Sequence, residues 1–216
     1  MIRLRAIFIS VFSLTALLMQ TLNAQSDCAD FRNLATAGVR MGANYSNVYD
    51  VDGGEFSASS KFGFVTGYFV SIPLVRNFGI QTEFLFSEKG FKASVNHLAD
   101  TYKLTRTSSY IDIPVYASYK PSKYITVLAG PQYSFLLQER DQYSDKATAT
   151  DQEFHFKNSS PGKSAVAIST GIDLTCSHVV IGARANWGVT RSKNDDTLYV
   201  PGYKDFCFQL TLGYRF

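Results

Sequence analysis

FCFQLTLGYRF, residues 206–216, carries a bulky apolar side chain at every second position: Phe206, Phe208, Leu210, Leu212, Tyr214 and Phe216. Cys207, Gln209, Thr211, Gly213 and Arg215 stand between them. Successive side chains of a strand point to opposite faces, so this period of two reads as a β-strand with one greasy face and one polar face. The pattern is still running when the chain reaches its aromatic last residue.

The same period recurs upstream. Val39, Met41, Ala43 and Tyr45 alternate with Gly38, Arg40, Gly42 and Asn44. Phe62, Phe64, Tyr68, Val70 and Ile72 share one face. Phe78, Ile80, Phe84 and Phe86 stand opposite Gln81, Glu83 and Ser87. Ile111, Ile113, Val115 and Ala117 oppose Asp112 and Ser118, and Ile125, Val127, Ala129, Tyr133 and Phe135 oppose Thr126, Gln132 and Ser134. Val166, Ile168, Ile172 and Leu174 oppose Ser169 and Asp173. Val179, Ile181, Ala183, Ala185, Trp187 and Val189 oppose Arg184, Asn186 and Thr190. With the tail this makes eight strands of about ten residues, a length that crosses a bilayer at a tilt.

The connectors alternate as well. Short ones fall at 73–77, 120–123 and 175–178; long polar ones fall at 48–61, 93–101, 138–162 and 191–204. Short turns on one side and long loops on the other are the mark of a bacterial outer-membrane barrel, with both termini on the short-turn, periplasmic side. The sequence therefore predicts an all-β fold, an eight-stranded antiparallel up-and-down transmembrane β-barrel, over residues 37–216.

Periodicity alone does not say which face is inside. A soluble lipocalin-like barrel carrying an apolar ligand, or a β-sandwich, turns its apolar face inward. Three features point to the apolar face being outside. The polar face holds charges in several strands, Arg40, Glu83, Asp112, Asp173 and Arg184. Glycines crowd that same face at 42, 63, 67, 79, 130, 171, 182 and 213, as a narrow lumen requires. Aromatics gather near strand ends, as interfacial girdles do.

Composition agrees. Aromatics make up 14% and charged residues only 18% of the 216 residues, and mean hydropathy is near zero. The net charge of +3 includes Arg3 and Arg5 of the N-terminus, which excludes the concentrated basic face of a nucleic-acid binder from the rest. MIRLR is a basic region, AIFISVFSLTALLM (6–19) an apolar one, and QTLNA a polar end before Gln25. This reads as a cleavable signal peptide over 1–24, since the apolar run is shorter than the roughly 20 residues of a spanning helix. Residues 25–36 are then a periplasmic N-terminal segment, and the location is the outer membrane.

Several segments, in order, resemble the PorT-like outer-membrane β-barrel family of Bacteroidetes: GVRMGANYSNV (38–48), FGIQTEFLFSEKGFK (78–92), YIDIPVYASYK (110–120), VLAGPQYSFLL (127–137) and LGYRF (212–216). The resemblance implies an eight-stranded outer-membrane barrel and no particular activity. Tyr214 and Phe216 resemble the C-terminal signal read by the outer-membrane barrel assembly machinery.

The interior of eight strands is just wide enough for side chains to fill. Arg40, Glu83, Asp112, Asp173 and Arg184 are expected there as a salt-bridged structural network, because buried charges must pair. An ion path along it is the functional alternative. A second alternative is a membrane-embedded lipid-modifying enzyme, with His97 near Ser87, Ser94 and Glu88 as a Ser–His–acid set. No His or Cys pair has metal-ligand spacing and no phosphate-cradling glycine motif opens a helix, so no metal or cofactor is expected. Of three cysteines, Cys28 and Cys176 fall at the periplasmic rim and are expected to pair, leaving Cys207 free and buried in the lumen. The expected partners are outer-membrane lipid, the assembly machinery, and a surface partner met through the long loops.

Overall fold

The computed structural model describes residues 32–49, 57–97, 100–145, 152–157, 164–190 and 204–216. They form nine strands: β1 (Thr36–Tyr49), β2 (Ser57–Val75), β3 (Phe78–His97), β4 (Asp100–Tyr119), β5 (Ile125–Asp145), β6 (Gln152–Lys157), β7 (Ser164–Cys176), β8 (Val179–Gly188) and β9 (Lys204–Arg215). Eight of them close into an antiparallel barrel in chain order. β5 pairs with both β4 and β7, and β9 closes on β1. β6 stands outside that ring and, among the described residues, pairs with the far end of β5 alone, through Gln138↔Lys157 to Tyr143↔Gln152.

Burial settles the faces. Arg40, Glu83, Asp112, Asp173 and Arg184 are buried, as are Asn44, Ser87, Gln132, Ser169 and Gln209. The apolar set is outside: Phe62 is 71% exposed, Tyr68 64%, Leu210 62% and Leu212 56%. A water-soluble protein does not expose an apolar surface that encircles it. A closed barrel with an apolar outer wall suits hydrocarbon, where every backbone group must be bonded within the protein. The lipocalin-like alternative, with its apolar face inside, is overturned.

Aromatic pairs mark both rims of the wall. Phe78–Tyr119 and Tyr214–Phe216 lie at the short-turn end, with ring centroids 4.9 and 5.9 Å apart. Tyr45–Phe62 and Trp187–Phe206 lie toward the other end, at 4.9 and 5.6 Å. Two of the three short turns are shorter still than expected, while the third, 120–124, is one residue longer. Arg76 and Asn77 join β2 to β3, and Ser177 and His178 join β7 to β8, with Ser177 at a positive φ of 52° that lets a two-residue hairpin reverse.

Two stretches expected as loops are largely strand. In 93–101, β3 runs to His97 and β4 begins at Asp100, paired throughout. In 138–162, β5 continues to Asp145 and β6 answers it. β2 to β5 are consequently 19, 20, 20 and 21 residues long, while β7, β8, β9 and β1 have 13, 10, 12 and 14. About ten residues cross a bilayer, so one half of the barrel projects well beyond it on the long-loop side. There the outer face meets water instead of hydrocarbon while Phe91, Ala93, Arg106 and Ser108 stay buried inside, so the apolar-out, polar-in period lapses and sequence loses its marker while backbone pairing continues.

Candidate functional site: a charge network across the lumen

Four of the five expected charges meet. Arg40 comes from β1, Glu83 from β3, Asp173 from β7 and Arg184 from β8. Arg184 places Nη1 2.8 Å from Asp173 Oδ1 and Nη2 3.0 Å from Glu83 Oε1. Arg40 places Nη1 3.2 Å from Glu83 Oε1 and Nη2 3.3 Å from Asp173 Oδ2. Gln81 Nε2 donates to Glu83 at 3.0 Å and to Asp173 at 3.2 Å. Two guanidinium groups and two carboxylates thus alternate in one layer. β3 and β8 are four strands apart in either direction round the ring, so the Arg184–Glu83 pair spans the bore.

The backbone makes room for these long side chains with glycine. In the β7–β8 ladder Gly171 faces Arg184 and Gly182 faces Asp173. A Cβ on Gly171 would lie 2.4 Å from Arg184 Cδ, and one on Gly182 would lie 2.6 Å from Asp173 Oδ1. Aromatic rings complete the packing. Arg184 sits over the Tyr116 ring at 5.4 Å, Arg40 over the Phe69 ring at 4.6 Å, and the Tyr116 hydroxyl meets Ser169 Oγ at 2.8 Å. Cations over ring faces in a dry interior gain more than they would at a surface.

Asp112 does not join this layer, which corrects the five-residue expectation. It pairs with Lys89, whose Nζ lies 2.7 Å from Asp112 Oδ2. Between β3 and β4 the ladder sets Asp112 against Leu85, two residues further along β3 than Glu83, so the two acids occupy different levels. Lys89 also lines a small cavity together with Asn186, Asp205 and Cys207. A third pair, Arg106 with Glu139 at 3.2 Å, stands beyond it. Lys89 shares the odd parity of Glu83 and Ser87 on its strand and was findable by that signal. Tyr116 shares the parity of Asp112 and was overlooked because its type suits the lipid face.

Of the expected Ser–His–acid set, the side chains of Ser94 and His97 lie outside the described residues, and Ser87 and Glu88 are engaged elsewhere. Ser87 is buried in the lumen, where its Oγ accepts from Asn44 Nδ2 at 2.9 Å, and Glu88 pairs with Lys61 at 3.1 Å. His97 stands ten residues further along β3, about 33 Å of strand. His178 lies in the β7–β8 turn, its Nδ1 2.8 Å from Arg215 O. Cys207 is a buried free thiol and Cys176 is disulfide-bonded. Cys28 lies outside the described residues, as does the whole 1–24 leader.

The chain's last residues close the ring. Tyr214 pairs with Val39, Arg215 N donates to His178 O at 2.7 Å, and Phe216 N donates to Ala37 O at 2.9 Å. The rings of Tyr214 and Phe216 remain exposed on the outer wall.

A family model described as an outer membrane protein beta-barrel domain matches residues 23–194. Among solved structures, Ail, the attachment invasion locus protein of Yersinia pestis, is 16% identical with a TM-score of 0.48, covering 84% of this chain and 99% of its own. OprG from Pseudomonas aeruginosa is 15% identical with a TM-score of 0.46, covering 84% and 96%. Neisserial surface protein A is 13% identical with a TM-score of 0.44, covering 84% and 99%. No curated protein sequence matches.

Proposed function

Because the chain belongs to the outer membrane protein beta-barrel domain family, we propose that it is a closed, non-enzymatic barrel of the outer membrane, held in shape by its lumen charges and presenting its tall hairpins to a partner outside. The observation that carries this reading is the Arg184–Glu83 pair at 3.0 Å, drawn from opposite walls and joined on both sides by Arg40 and Asp173. Such a layer fills a bore that is already only side-chain wide. Planar-bilayer recording of the purified protein is the test. Traces without stable single-channel steps are expected, and reproducible steps would sink the closed-barrel reading.

The resemblance to PorT-like barrels of Bacteroidetes supports placing the chain in that branch. The N-terminal pattern supports removal of residues 1–24 as a signal peptide and delivery to the assembly machinery, with Tyr214 and Phe216 as the recognised end. The disulfide at Cys176 supports pairing with Cys28, which would tie the N-terminal segment to the periplasmic rim. The intact mass of protein from outer membranes tests both. It should match a chain beginning at Gln25 and rise by the mass of one hydrogen pair on reduction. A full-length mass, or one unmoved by reductant, would refute the leader or the disulfide respectively.

A further inference from the structure

Three buried amides on the inner wall have hydrogen-bonding capacity that the protein does not use. Asn186 of β8 is 4% exposed, Gln209 of β9 4% and Asn44 of β1 0%. Neither Oδ1 nor Nδ2 of Asn186 has a hydrogen-bond partner, and neither Gln209 Nε2 nor Asn44 Oδ1 has one. Arg184 Nε is a further donor without a partner, and Asp112 Oδ1 a further acceptor. The ladders bring most of these groups together. Gln209 pairs with Asn44 on one side and with Arg184 on the other, and Asn186 stands two residues beyond Arg184 on the same face of β8.

Asn186 is the informative member. It lines the same small cavity as Lys89, which belongs to the opposite wall. Its ladder neighbour Cys207 offers only a thiol, a weak partner that itself lies 3.4 Å from Phe208 O. Asn44 gives its Nδ2 to Ser87 Oγ and Glu88 O, both at 2.9 Å, and has its carbonyl oxygen left over. Leaving a buried donor or acceptor unanswered is costly, and buried polar groups of native proteins are as a rule partnered by protein or by water. The unanswered set is mixed. Asn186 Nδ2, Gln209 Nε2 and Arg184 Nε donate, while Asn186 Oδ1, Asn44 Oδ1 and Asp112 Oδ1 accept. A cation would answer only the acceptors, and a bare anion only the donors.

We infer that this stretch of the lumen is a built binding site for water, held as an ordered cluster by Asn186, Gln209 and Asn44 and linking the Lys89–Asp112 pair to the Arg184 layer. Water donates and accepts at once, and a buried water is held where several polar groups converge on it, as they do here. Side chains and bound water then fill the bore together. The inference goes beyond the closed-barrel reading and is tested apart from it.

The test uses the purified full barrel in lipid nanodiscs, with water-to-protein cross-relaxation read by NMR at the side-chain NH2 groups of Asn186 and Gln209. Laboratory-frame and rotating-frame cross peaks of opposite sign are expected at both amides, the signature of water that stays bound. In Asn186→Leu, which keeps the volume and removes the amide, the Gln209 peaks should be lost. Gln209→Leu should in the same way remove those of Asn186. Leu210→Ala, on the outer wall, should leave both sets unchanged. The wild-type spectrum decides by itself where a variant does not fold. No cross peaks at either amide, peaks of equal sign from water that only passes, or Gln209 peaks that persist in Asn186→Leu would each overturn the inference. Passing water together with single-channel steps in a planar bilayer would sink the closed barrel as well, whereas a dry lumen without steps would sink the water site alone.

Discussion

Arg184 is the residue on which the lumen layer turns, because it reaches Asp173 in its own hairpin and Glu83 across the bore. Replacing it with methionine keeps the bulk and removes the charge. Glu83 and Asp173 would then share one guanidinium, that of Arg40, beside the neutral Gln81 amide, and breaking a buried pair from one side costs about 3–5 kcal/mol. Urea unfolding of Arg184→Met in detergent micelles should show a loss of that size. A loss below about 1 kcal/mol would mean that water, not the arginine, neutralises the two acids. Parity along the strands was enough to place all five expected charges on one face. It could not sort them into layers, because whether Asp112 meets Arg184 or Lys89 depends on the stagger between strands, which no single strand encodes.

At the scale of the strand, β9 shows how one element serves two environments. Leu210 and Leu212 face outward while Gln209 and Thr211 are buried in the lumen. A charge on the outer face must sit in hydrocarbon, so Leu210→Arg should destabilise the barrel by about 2–4 kcal/mol in lipid. The comparison is with its neighbour: Thr211→Ser, on the inner face, should change little. Equal effects in unfolding from lipid vesicles would contradict the assignment of faces. The alternation that carries this distinction was legible for all eight barrel strands. The upper halves of β3, β4 and β5 were not, since beyond the bilayer the outer face no longer has to be apolar and the inner face takes apolar Phe91 and Ala93, so the period is lost although the ladder runs on.

At the scale of the molecule, closure is what gives the barrel its resistance. β9 bonds to both β8 and β1, so no edge is left in the membrane among the eight strands. Unfolding in detergent must break the ring and its lumen pairs together. Protein from isolated outer membranes should therefore migrate as a compact band on a gel when unheated and shift after boiling. A single unshifted band in both lanes, with the protein in the soluble fraction, would contradict a membrane barrel.

What the sequence by itself determined is the local rule: a period of two, eight times over, with alternating short and long connectors. Each follows from the pleat and from the solvent on either side of a strand, and both are properties of neighbouring residues. The tertiary structure decided everything that depends on distant strands meeting. It chose the polar face as the inside, joined Arg184 of β8 to Glu83 of β3, gave Lys89 to Asp112, added β6 to the end of β5, and brought Asn186, Gln209 and Asn44 to one stretch of the lumen. Those contacts are set by the register and stagger of a closed sheet, and these exist only once the last strand has paired with the first.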